Sequence, residues 1–214
     1  MKRFRKSNVL VVFGILLGMS IFTSMPAVAE IEVDYFPNSE AVVEVLTPFG
    51  AETLTVQGPT TVEVILSDLG DTDGDGREQV PTEIVQMELT GSSPMLGPVT
   101  IRLRDPSESP FQRSTGEIEE DDNNNPGVLD IPPFTPSGTA DSFFDVYVEI
   151  DIGGSVLHNE YPARIVADNL TNKPPAENET YCGEVGVMLF DENNNPSGVQ
   201  VQSVCHTPGP GDGN

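Results

Sequence analysis

Beyond its first 29 residues, this chain alternates apolar and polar positions with a period of two. Val62, Val64 and Leu66 share one side of an extended segment, as do Val85, Met87 and Leu89, and again Val99, Ile101 and Leu103. The clearest run sets Phe144, Val146, Val148 and Ile150 on one face, with Asp145, Tyr147, Glu149 and Asp151 on the other. Successive strand side chains point to opposite sides, so the pattern predicts strands with one dry and one wet face. Further runs at 42–46, 156–158, 164–167, 184–190 and 199–204 bring the count to nine or ten.

Between the runs lie clusters of Gly, Pro, Asn and Asp, the residues that close turns. Many short strands without intervening helices predict an all-β protein, an antiparallel β-sandwich rather than a parallel sheet. Residues 105–142 hold few alternating apolar positions and are expected to leave the sandwich as one long irregular excursion. A hairpin joining 84–89 to 99–104, turning near Met95, would set Glu88 opposite Arg102 and fix the register.

The first 29 residues read as a cleavable signal peptide. Lys2, Arg3, Arg5 and Lys6 precede an apolar core over residues 9–22, and Ala27-Val28-Ala29 gives the small-x-small cleavage pattern. That core is too short to span a bilayer comfortably, and no later apolar run could replace it. The mature product, residues 30–214, is expected to be one exported domain with no membrane span, secreted or held at the surface of a bacterial cell.

Losing the four leader cations takes the formal net charge from -24 to -28. Such a surface repels nucleic-acid phosphates and attracts cations. An exported chain with two cysteines, Cys182 and Cys205, is expected to join them in a disulfide.

Candidate chemistry concentrates at Asp71-Thr72-Asp73-Gly74-Asp75-Gly76. Carboxylates at alternate positions followed by glycine curl the backbone around a hard cation, as in the first half of an EF-hand loop. The second half departs from that pattern: position eight is Glu78, position twelve is Thr82, and Glu83 falls one place late. The expectation is an Asp-rich Ca2+ loop between two strands. Asp71, Asp73 and Asp75 would be side-chain ligands, Arg77 would offer its carbonyl, and Glu78 or Glu83 would complete the shell. A second acidic run, Glu117 to Asp122, suits a weak cation site, half of a glycosidase-like carboxylate pair, or a solvated surface. His158 and His206 are the only histidines, and no motif of a hydrolase, zinc protease or phosphate loop is present.

Gly116 to Glu120, Pro126 to Ile150 and Leu157 to Pro162 resemble a group of uncharacterised exported bacterial proteins that also carry an Asp-Gly-Asp-Gly turn. The resemblance implies bacterial export and assigns no catalytic residue. The sequence thus points to a secreted, non-enzymatic, calcium-stabilised structural or binding module, with extracellular polysaccharide or a surface protein as partner. The alternative is a carbohydrate-active enzyme using carboxylates of residues 117–122 or Asp141 and Asp145.

Overall fold

The computed structural model describes residues 30–105 and 112–210. The leader expected at 1–29 and residues 106–111 of the expected excursion lie outside the described residues. Eleven strands follow in order: β1 (Ile31–Thr47), β2 (Gly50–Ile65), β3 (Gln79–Ser93), β4 (Gly97–Leu103), β5 (Thr115–Glu120), β6 (Ala140–Val146), β7 (Val148–Ile152), β8 (Ser155–Asn159), β9 (Ala163–Leu170), β10 (Tyr181–Phe190) and β11 (Pro196–Thr207). A single 3-10 turn at Leu66–Asp68 is the only helical element among the described residues.

The strands do not form a sandwich. The order β11-β1-β2-β3-β4-β7-β8-β10 returns to β11, so eight antiparallel strands close into a barrel. Pairing of Glu40–Leu46 with Gln200–Thr207, and of β10 with β11 from Tyr181↔His206 onward, seals it. Alternation shows only that each strand has one dry face. Two facing sheets and one sheet curled on itself leave the same pattern, and closure removes the free edges a sandwich would keep.

β5, β6 and β9 lie outside that ring, where β5 pairs with β3 and β6, and β6 and β9 each adjoin a ring strand along the chain. β6 runs into β7 across Tyr147 alone, and β8 passes into β9 across residues 160–162. β3 pairs with β4 through Glu88–Ser93 and with β5 through Gln79–Glu83. The wall therefore has broken staves, and the barrel is longer than its short strands suggest. The excursion expected at 105–142 is corrected accordingly: it contains β5 and the start of β6. The link at 121–139 folds back, burying Leu129 and Ile131 in the core. Its scarcity of alternation hid this, because a loop closing a barrel end buries residues without a strand's period.

Most inward positions are those the alternation marked, but Val85 faces out while Ile84 is buried, because the β2–β3 register shifts between Thr61 and Val62. Phe144, Val146, Val148 and Ile150 are all buried across the β6–β7 break, so the phase survives the interruption. The expected Glu88↔Arg102 register is observed, yet Arg102 takes its ion pair from Glu149 on β7, at 3.0 Å. A barrel strand has a neighbour on each side, and only one was visible from the hairpin. At β2, a Cβ on Gly58 would lie 2.0 Å from the carbonyl oxygen of Glu88. Only glycine admits that approach, which sits beside the register shift between Phe36 and Ser39 where the wall bends.

Candidate functional site

Three places have geometry suited to a ligand: the acidic turn, an outer depression along β5 and β6, and the lumen. The turn lies between the 3-10 segment and β3, and is fastened by the Gly70–Gln79 bridge and by Gln79, whose side chain bonds Thr72 twice. Asp71 accepts the main-chain N–H groups of Gly74 and Gly76 at 2.7 and 3.0 Å. Asp73 accepts that of Asp75, and Asp75 that of Arg77. Positive φ at Gly74 and Gly76 (84° and 96°) makes the curl possible. All three carboxylates are exposed, and one oxygen from each lies within 4.8 Å of the others.

The side chains of the remaining expected ligands make contacts of their own. Arg77 turns its guanidinium to Asp75 and Glu119, at 2.5 and 2.6 Å. The Arg77 main-chain N–H and guanidinium hold the Asp75 carboxyl below its ordinary range. Glu78 receives the N–H of Gly127 on both oxygens, at 2.9 and 2.8 Å, and Glu83 is clasped by Arg113. Neither glutamate joins the three aspartates. Glu83 is directed by the pleat of β3, and Glu78, just before that strand, is turned to the main chain of Gly127.

The second acidic run separates along β5. Glu120 is fully buried, one oxygen accepting the N–H of Glu78 and the other that of Asp130. Asp121 accepts the Thr139 hydroxyl. Glu117 and Glu119 face outward beside Asp141, Asp168 and Phe143, around a depression of about 260 Å³. Burial, with Asp73 nearby, pushes the Glu117 carboxyl up, and burial does the same at Glu119 against the pull of Arg77. Asp145 is tied to Arg164, which also lies 4.1 Å over the Phe143 ring. His158 is buried, its Nε2 shared between Glu160 and Asn194 at 2.8 and 3.0 Å.

The lumen was not foreseen as a site. Val43, Leu89, Ile101, Ile150, Ile165 and Leu189, from six staves, face one another around an unfilled space of about 60 Å³. Only Asn159 and His206 bring polar atoms to its wall. Burial lowers the His206 imidazole to about 4, so the ring is neutral at ordinary pH.

With this architecture in view, the chain is similar in structure to DynF from the dynemicin biosynthesis pathway of Micromonospora chersina. The TM-score is 0.64, with 20% sequence identity, and the match covers 88% of this chain and 87% of that one. Identity this low shows a shared fold alone, the antiparallel eight-stranded barrel. No protein-family model matches the chain, and no curated protein does. The expected Cys182–Cys205 disulfide is present, joining directly opposed residues of β10 and β11. Among the described residues no helix is long and apolar enough to cross a membrane.

Proposed function

We propose that this chain is an exported, non-enzymatic binding barrel that holds one small, largely apolar molecule in its lumen and takes Ca2+ at the 71–76 turn. The observation that carries the reading is the unfilled apolar space at the centre of a closed eight-stranded wall. A barrel of this strand number is just wide enough for side chains to fill it or for one small ligand to enter. A water needs roughly 10–15 Å³ of such space and two or more polar partners, so this one is roomy enough yet offers water little. Apolar surface facing an empty space lacks dispersion partners, which a ligand would supply. Export rests on the leader pattern, and the disulfide agrees with an oxidising compartment.

The experiment is a melt of the mature protein with dissolved xenon, an apolar probe small enough for this space, beside the lumen-filling variant Ala41→Leu. Xenon should raise the wild-type Tm and leave the filled variant unmoved. Equal responses, or none in the wild type, would remove the reading.

A carbohydrate-active reading draws on the outer depression, where Glu117, Glu119, Asp141 and Asp168 meet beside an aromatic ring and two of the carboxyls are raised. Its test is release of reducing ends from neutral and acidic polysaccharides, abolished in Glu117→Gln. No release from any of them leaves the barrel as a binder only.

A further inference from the structure

We infer that the lumen ligand is an uncharged molecule with a single hydrogen-bonding group, a hydroxyl or a carbonyl, which His206 receives. The inference rests on the lumen reading above and narrows it to a ligand class.

Of the two polar side chains on the lumen wall, Asn159 is spent. Its Oδ1 accepts the N–H of Val148 at 2.7 Å, and its Nδ2 donates to the carbonyls of Val146 and Tyr161 at 2.9 and 2.8 Å. Those bonds stitch together the two stave breaks, at Tyr147 and at 160–162, and leave the amide no free donor. His206 differs. Its only hydrogen-bonding contact among the described residues is Thr60, whose Oγ1 lies 3.4 Å from Nε2. A neutral imidazole carries one donor and one acceptor nitrogen, so capacity remains unused. The ring is neutral because burial disfavours its charged form.

No charged side chain lines the space. A carboxylate or ammonium head would lose its hydration there with no countercharge to replace it, a penalty far larger than one hydrogen bond returns. A pure hydrocarbon fits the walls but leaves the second ring nitrogen of His206 without a ligand partner. A small alcohol or ketone satisfies both, presenting its apolar body to the aliphatic staves and its oxygen to the imidazole. The volume favours a molecule of very few heavy atoms over a long chain.

The test follows lumen methyl resonances of the mature protein at neutral pH during titration with methanol, ethane and formate. His206→Leu should lower the ratio of methanol to ethane affinity by roughly five-fold, the worth of one neutral hydrogen bond, and His206→Gln should keep part of that preference. Formate should leave the methyls unmoved. A ratio unchanged in His206→Leu, or formate entering the lumen, would overturn the inference and leave the lumen reading intact. Silence from all three probes would remove both. Should His206→Leu not fold, the ratio in His206→Gln decides.

Discussion

Glu120 accepts the main-chain N–H of Asp130 at 2.7 Å through Oε2, while its other oxygen accepts that of Glu78 at 2.9 Å. One buried carboxylate therefore fastens the 121–139 link to the start of β3. Glu120→Gln keeps the shape but sets an amide NH2 against one of the two N–H donors, leaving buried groups unpaired. We expect a loss of about 1–3 kcal/mol in urea unfolding, with faster amide exchange at Asp130 and Ile131. Unchanged stability and unchanged exchange would show that the link is held by packing of Leu129 and Ile131 alone.

His206 links stability to pH. Its imidazole titrates near 6.5 when unfolded and at about 4 when folded. Between these values the unfolded chain binds the extra proton, so this contribution is whole above 6.5 and is lost progressively as pH falls towards 4. The full loss is up to roughly 3 kcal/mol. Urea unfolding at several pH values should show this slope in the wild type and a flatter one in His206→Gln. Parallel slopes in the two proteins would contradict the assignment.

Arg77 pairs with the Asp75 carboxylate, which the proposed Ca2+ site would draw on. Calcium should raise the Tm of the mature protein and a chelator should reverse the rise, by an amount that grows with the logarithm of free ion and reaches about 2.7 kcal/mol at a hundred times Kd. Asp73→Asn should weaken binding in calorimetric titration without disturbing the turn closed by Asp71. Arg77→Gln should strengthen it by freeing Asp75. A weaker Arg77→Gln would indicate that the arginine positions the site rather than competing for it.

The Cys182–Cys205 bond ties the last two strands of the closed wall, 23 residues apart in sequence. Reducing it frees the unfolded chain and should cost about 3 kcal/mol. The double variant Cys182→Ser/Cys205→Ser should reproduce the loss in the absence of reductant. If reduction lowers the Tm but the double variant is as stable as the oxidised protein, the loss belongs to the reductant.

The wet-and-dry alternation of 144–150, the hairpin register at Glu88↔Arg102, the disulfide and the Asp71–Gly76 turn were all legible in the chain. Each depends on neighbours in sequence or on side-chain types whose chemistry is local. The roles of Glu78, Glu83 and Glu120 were not legible: their partners, Gly127, Arg113 and Asp130, come from other segments that only folding brings near. Likewise β5 lacks a long period-two run, because six residues with Glu120 turned inward do not advertise a strand.

The chain by itself determined which side of each strand avoids water, since that is written in the spacing of its apolar residues. Whether those sides would meet across two sheets or around one axis was decided only when Glu40–Leu46 paired with β11. Closure is a property of the last edge to find a partner, and no single segment encodes it. The same step turned an ordinary apolar face into an enclosed space and left His206 inside it.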